Sequence, residues 1–448
     1  MTDYKKISNE LLDTIDKKIT STETIKIYGK VTNITGLLIE GVGPGVSIGT
    51  VCSIINQENE EFKAEVVGFK GNKILLMPFS DTKGLTPNSL ILAEKGLTKI
   101  RVGEKLLGRV IDGLGNPIDG KGEINYTDTI SLYHEPINPM LRKPITESLD
   151  VGIKAINGLL TIGKGQRIGI LAGSGVGKST LLGMIAKYTT ADINVIGLIG
   201  ERGREVKEFI TKSLGEEGLR RSIVVAVTSD NSPLLRMRGA FVATSIAEYF
   251  REKGFDVLLM MDSITRFAMA QREIGLSIGE PPTTKGYTPS VFSLLPKLLE
   301  RAGNSNSEGS LTAIYTVLVE GDDMNEPIAD ATRAILDGHI ILSRQLAAQN
   351  HYPCIDILNS KSRLMNDIAS DEHKELAGKL ISLYATYKEA EDLINIGAYS
   401  KGSNPKIDEA IEKIDKINNF LTQKVEEKFS MNDTINELKK IFSSVVSH

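Results

Sequence analysis

The sequence predicts an α/β chain in three parts: a small N-terminal β-barrel domain, a central parallel sheet wrapped by helices, and a C-terminal helical domain. Three observations lead there. Between Thr24 and Leu92, short β-type runs alternate with turn residues. From about Leu149 to Ser370, apolar runs of strand length alternate with helical patterns, as in a parallel sheet with crossover connections. After Asp371, apolar residues recur at helical spacing among Lys and Glu. The expected boundaries are 1–23 for an N-terminal helical segment, 24–95 for the barrel, 96–370 for the α/β core and 371–448 for the C-terminal helices.

In chain order, Ile7, Leu11, Leu12, Ile15 and Ile19 give the first segment an apolar helical face that needs cover. The β region then offers Ile25–Val31, Leu37–Glu40, Val51–Ile55, Phe62–Phe69 and Lys73–Phe79 as strands. Gly41–Gly45 and Lys70–Asn72 are turn signals, and many short strands at this spacing suit a small barrel. Asp112–Pro117 and His134–Pro139 read as connecting loops into the core. The stretch Gly279–Pro289 is too rich in Pro and Gly for a regular element. It is either a functional loop or a surface connector before a helix starting near Ser290. Near the end, Ile407, Ile411, Ile414, Leu421, Val425 and Phe429 form one stripe, read first as intramolecular core and second as a partner contact.

Composition narrows the function classes. The chain has 448 residues, more than one domain's worth, and 41% apolar content is enough for sizeable cores. A net charge of -4 implies no strongly basic nucleic-acid surface. Cys52 and Cys354 have no partner spacing, which fits reduced thiols in a cytoplasmic protein. No apolar run approaches the ~20 residues of a membrane helix, and Met1–Lys6 lacks the apolar core of a signal peptide. Membrane contact is therefore expected to be peripheral, through partners. The five histidines show no metal-ligand spacing.

The residues that carry chemistry begin at Ala172-Gly173-Ser174-Gly175-Val176-Gly177-Lys178-Ser179-Thr180, between the apolar run Arg167–Leu171 and the helical pattern Leu181–Ala186. Strand, glycine loop and helix in that order make a phosphate cradle. Glycines let backbone N–H groups turn toward phosphate oxygens, and the helix N-terminus adds a positive dipole end. Gly173 to Thr180 are thus the candidate nucleotide-binding residues. Lys178 can reach the β- and γ-phosphates, and Ser179 can place its hydroxyl on Mg²⁺. Ala172 departs from the glycine usual at the first position. Asp262 ends the buried-strand pattern Phe255–Ser263, where an acid faces the ligand crevice and can serve Mg²⁺. Glu201 falls just past the strand Ile193–Ile199 and can polarise an attacking water. Arg202 can steady that glutamate or the γ-phosphate; the bland alternative for both is a solvated charge cluster.

Three longer stretches carry a resemblance: GERGREVKEFI from Gly200, MDSITRFAMAQREIGLSIGEPPTTKGYTPSVFSLLPKLLERAG from Met261, and VEGDDMNEPIADATRAILDGHIILSR from Val319. They resemble the flagellar type III protein export ATPase family, a relative of virulence type III secretion ATPases and of rotary ATP synthase catalytic subunits. The resemblance runs over roughly residues 25 to 400. It implies a RecA-like P-loop ATPase core that hydrolyses ATP with Mg²⁺. The alanine in AGSGVGKS is itself like the export enzymes. Glu201 matches the catalytic glutamate, Arg202 the arginine after it, and Arg363 the arginine finger offered to a neighbouring subunit. Tyr352 matches the aromatic that stacks on adenine, with Tyr399 a second candidate.

The resemblance also implies partners: a homo-oligomeric ring, a hexamer, with stalk and export-gate proteins, export substrates and their chaperones. A regulator or stator subunit would meet residues 1–23, and the loop 279–289 would line the ring's hole. Nucleic acid is not expected. A virulence export ATPase is the near alternative; a rotary synthase subunit, an RNA translocase and a binding-only regulatory subunit are more distant ones.

Overall fold

The computed structural model describes residues 27–94 and 99–443. The expected helix over Ile7–Ile19, and the first two residues of the strand expected from Ile25, lie outside the described residues.

One compact unit ends at Thr98. Its strands are Tyr28–Thr35 (β1), Leu38–Val42 (β2), Val51–Ile55 (β3), Glu61–Lys70 (β4), Lys73–Pro78 (β5) and Leu90–Ala93 (β6). They close a barrel in the order β1-β2-β5-β4-β3-β6, all neighbours antiparallel. Side chains two apart share a face. Cys52 with Ile54, Ala64 with Val66, and Ile74 with Leu76 therefore point inward together and fill the barrel with Val31, Ile39 and Ile91. Gly41 and Val42, expected in a turn, belong to β2. β6 was not expected, because Leu90-Ile91-Leu92-Ala93 shows no alternation; it is the strand that closes the barrel between β1 and β3.

The second unit starts at Lys99. Its strands are Lys99–Val102 (β7), Val110–Ile111 (β8), Asp128–Ser131 (β9), Ser148–Leu149 (β10), Ile162–Gly163 (β11), Arg167–Ala172 (β12), Ile193–Glu201 (β13), Ser222–Thr228 (β14), Val257–Asp262 (β15), Leu311–Leu318 (β16), Gly338–Leu342 (β17) and Ile355–Ser362 (β18). β7 pairs with β9 and β10 with β11. The remaining eight form one sheet in the order β18-β17-β12-β16-β15-β13-β14-β8. Only β18 runs antiparallel to its neighbour. β13 is buried along its whole length up to Gly200, and β15 is buried throughout, which is why both read as continuous apolar runs. From β12 the chain crosses to β13 on one side; from β16 it crosses to β17 on the other. Connections leaving adjacent strands in opposite directions open a crevice at their C-terminal ends.

Hydroxyl caps set the starts of the long helices. Ser232, Ser263 and Ser370 accept from backbone N–H groups at the starts of Pro233–Glu252, Ile264–Ser277 and Asp371–Asn395. Ser430 and Asp433 make a reciprocal capping box for Met431–Phe442.

The helices Asp371–Asn395, Pro405–Leu421 and Met431–Phe442 pack onto the α/β unit. Ile417, Phe420, Leu421, Leu438 and Ile441 share one buried cluster with Ile156 and Leu159 of the helix Lys154–Leu159. Of the expected stripe, Leu421 lies in this core and Ile414 packs against it, while Ile407 and Ile411 are only half-buried. Val425 and Phe429 depart from the stripe, since the helix ends at Leu421. The cause is Gln423, whose Oε1 accepts from the Lys154 N–H and whose Nε2 donates to the carbonyls of Gly152 and Glu427. Satisfying those buried backbone groups pulls the chain out of helical geometry. Among the described residues no helix is long and apolar enough to cross a membrane. Cys52 and Cys354 are both buried and free.

Candidate active site

The helix Lys178–Tyr188 starts directly after Gly177, and no side chain caps it. Its first N–H groups are therefore donors available to an anion. Gly175 and Gly177 hold φ 82 and 83, the left-handed turn that brings the loop's backbone around. Ser174, Gly175, Ser179 and Thr180 are exposed, while Gly173 and Val176 are buried.

Three strands converge on Lys178. Its Nζ donates to Asp262 Oδ1 at 2.5 Å and lies 3.9 Å from Glu201 Oε1. Asp262, at the end of β15, also accepts from Thr316 Oγ1 of β16 at 2.7 Å. Glu201 ends β13, where the register slips between Ile199 and Glu201. Its Oε1 is buried and has no hydrogen-bond partner. Burial first, and then the nearby Asp262 charge, push the Glu201 carboxyl up to about 7, against the pull of Lys178. A carboxylate with that affinity for protons suits proton transfer near neutral pH.

Arg202 does not join this cluster. Its guanidinium pairs with Glu205 at 3.1 Å on the outer surface, with its side chain 79% exposed. Another arginine packs against the backbone of Gly200, just before Glu201. A Cβ on Gly200 would lie 2.8 Å from Arg266 Cβ, and Arg266 Nε is buried without a partner. Arg266 was not singled out from the sequence. The signal was its place four residues after Asp262, in the first turn of the helix that leaves the crevice.

Behind the phosphate loop lies a cavity of about 790 Å³. Val176, Gly177 and Thr180 form one side, Tyr352, Pro353 and Cys354 a second, and the segment Gln423 to Phe429 a third. The Tyr352 ring lies against Gly177, where an added Cβ would stand 3.5 Å from it. Opposite, the Lys154 ammonium sits 4.7 Å from the centre of the Phe429 ring. A flat apolar group with polar edges fits between such walls. Phe429 was hidden by its apparent membership of the helical stripe. Tyr399 does not line this cavity; its hydroxyl is engaged by the Asn404 carbonyl at 2.9 Å and Asp408 Oδ1 at 3.0 Å, at the start of the helix Pro405–Leu421.

Arg363 is exposed at the end of β18. Its guanidinium donates to the Arg333 carbonyl at 3.3 Å, and its N–H to the Asp337 carbonyl. β18 runs antiparallel, and Ser362 pairs with Gly338 at the start of β17. Arg363 therefore sits at the N-terminal edge of the sheet, whereas the phosphate loop leaves the C-terminal edge of β12.

Comparison with known proteins agrees with this architecture. Residues 31–93 match the β-barrel domain of the ATP synthase alpha/beta family, residues 152–362 its nucleotide-binding domain, and residues 369–440 the T3SS EscN ATPase C-terminal domain. The flagellum-specific ATP synthase of Bacillus subtilis (strain 168) is 53% identical over 97% of this chain and 98% of its own length. The chain belongs to the flagellar and type III secretion ATPase family. The solved structure of the assembled ATPase EscN, from the type III secretion system of enteropathogenic E. coli, superposes with a TM-score of 0.88 at 48% identity. It covers 93% of this chain and 100% of EscN. EscN in complex with its central stalk EscO superposes at 0.86, with 47% identity and the same coverage.

Within this family the third wall of the cavity is informative. Gln423, Val425 and Phe429 fall inside the EscN-type C-terminal match, while the phosphate loop falls inside the alpha/beta match. The cavity is thus built by both regions. The C-terminal match also sets the chain with the type III secretion ATPases and apart from the rotary synthase subunit considered from the sequence.

Proposed function

We propose that this chain hydrolyses Mg²⁺·ATP in a ring of like subunits and that the turnover energises flagellar type III protein export. The observation that carries the reading is Lys178 held between Asp262 and Glu201 at the mouth of the phosphate loop. Gly173 to Thr180 and Lys178 bind the phosphates. The incoming anion draws Lys178 from Asp262, which leaves that carboxylate and the exposed Ser179 hydroxyl for Mg²⁺. One or two protein oxygens beside phosphate oxygens is the donor set this ion takes. Held by Asp262 and Ser179, Mg²⁺ would supply positive charge against the β- and γ-phosphates. Glu201 orients the attacking water and accepts its proton. Tyr352 and Phe429 hold the adenine.

The arginine finger completes the site from outside. From the level of Arg363 to the phosphate loop the sheet extends about five residues, roughly 17 Å at ~3.3 Å per residue, farther than an arginine side chain reaches. Arg363 therefore serves the nucleotide of an adjoining subunit. By analogy with EscN and EscO, a stalk protein enters the ring, beside the loop 279–289. Residues 1–23 take a regulator or stator subunit, and substrates, chaperones and the export gate meet the assembly at the cytoplasmic side of the membrane. The likeness to EscN supports a virulence export apparatus as a second reading.

The test is activity against protein concentration. Turnover per wild-type subunit should rise as rings assemble, and Arg363→Ala should bind nucleotide yet show no such rise. A variant that matches wild type in assembled rings would sink the finger assignment.

A further inference from the structure

The phosphate loop meets an ion pair that no part of the mechanism above uses. A Cβ on Gly173 would lie 2.7 Å from Arg344 Nη2 and 2.9 Å from Asp322 Oδ1. A guanidinium and a carboxylate thus rest on the backbone where the loop leaves its strand, close enough that a side chain at Gly173 would displace them. Sheet register explains the meeting. Ala172 pairs with Leu342 across β12 and β17, so Gly173 and Arg344 leave the edge of the sheet side by side.

The pair is poorly made. Nη2 and Oδ1 stand 3.7 Å apart, with side chains 56% and 45% exposed. Such a contact contributes little in water. Asp322 also occupies a left-handed backbone at φ 57, directly after Gly321 at φ 64. Its neighbour Asp323 is tied to Lys285 at 3.2 Å, in the loop 279–289, where Lys285 itself sits at φ 51. Non-glycine residues in that conformation hold strain that functional loops commonly keep.

The base cavity is at the other end of the phosphate loop, lined by Val176, Gly177 and Thr180. The phosphate that comes nearest Gly173 is therefore the one farthest from the base. We propose that Arg344 changes partner with nucleotide state: it pairs with Asp322 when the loop is empty and binds the terminal phosphate of ATP when the loop is filled. This rests on the reading that Gly173 to Thr180 hold phosphates. A planar guanidinium makes two parallel bonds to a phosphate, and a dianionic terminal phosphate outcompetes a loosely held carboxylate. The exchange frees Asp322, so the turn 320–323 and the loop tied to it through Lys285 respond to the γ-phosphate.

The two residues predict effects of opposite sign, which a merely structural pair does not. Equilibrium binding of a non-hydrolysable ATP analogue and of ADP, each with Mg²⁺, reads them out on the full chain. Arg344→Gln should weaken the ATP analogue by roughly tenfold and leave ADP nearly unchanged. Asp322→Asn, which removes the competitor, should tighten the ATP analogue and leave ADP unchanged. Equal losses for both nucleotides, or weaker analogue binding by Asp322→Asn, would overturn the proposal. Absence of binding of either nucleotide by the wild-type chain would instead overturn the phosphate-loop reading, and this inference with it.

Discussion

Glu201 is placed against its own solvation. Its carboxyl is buried at the end of β13, one oxygen lacks a hydrogen bond, and Asp262 adds a like charge nearby. Both effects penalise the ionised form, which is the form a base needs. With the folded group raised to about 7 from an ordinary 4.5, the native state binds the proton more tightly than the unfolded chain. Stability therefore falls as pH rises from the unfolded value through the folded one. Two consequences separate chemistry from stability. Wild-type kcat/KM should lose activity on the acid side with a midpoint near 7, because protonated Glu201 cannot accept a proton. Glu201→Gln should bind nucleotide without turnover, yet melt at a higher temperature than wild type at pH 8, the gap closing as the pH is lowered toward 4.5. A variant less stable than wild type at pH 8 would contradict this account of Glu201.

At the scale of elements, legibility follows period and burial. β13 and β15 were readable because both are continuous apolar runs ending in acids, which also located Glu201 and Asp262. The uncapped helix after Gly177 was readable from the glycine loop together with the helical pattern Leu181–Ala186. β6 was not, because four apolar residues carry no period. The segment 422–430 was misread for a subtler reason. Val425 and Phe429 keep helical spacing from Leu421, but Gln423 is bound to the backbone of Gly152 and Lys154, hundreds of residues earlier, and that long-range hydrogen bonding ends the helix. Arg202 and Tyr399 illustrate the same limit for single residues, since spacing does not say which way a side chain turns. The helix before this segment meets the core along only part of its stripe. Ile417 is 0% exposed and Ile411 only half-buried. Ile417→Ala should thus cost about 2–5 kcal/mol in urea unfolding, with Ile411→Ala costing clearly less. Similar small losses at both positions would mean that the stripe faces something other than this core.

At the scale of the whole molecule, one sheet separates the two groups of residues to which the proposed mechanism assigns the chemistry. Glu201, Lys178 and Asp262 gather at its C-terminal edge, and Arg363 stands at its opposite edge, fixed there by β17 and β18 pairing. A chain that hydrolysed ATP alone would need the finger to cross the sheet. A ring removes that need, because each subunit can present the edge bearing Arg363 to the crevice of the next. This arrangement has a test that no single substitution offers. Glu201→Gln keeps a finger but has no base; Arg363→Ala keeps a base but lends no finger. Each variant alone should be inactive. In rings assembled from equal amounts of both, a site is complete where an Arg363→Ala subunit is served by a Glu201→Gln neighbour, which random mixing gives at about a quarter of the interfaces. Activity should therefore reappear on mixing two inactive proteins and disappear again on dilution below assembly. If the finger acted within its own chain, no mixed ring would contain a complete site, and the mixture would stay as inactive as its components.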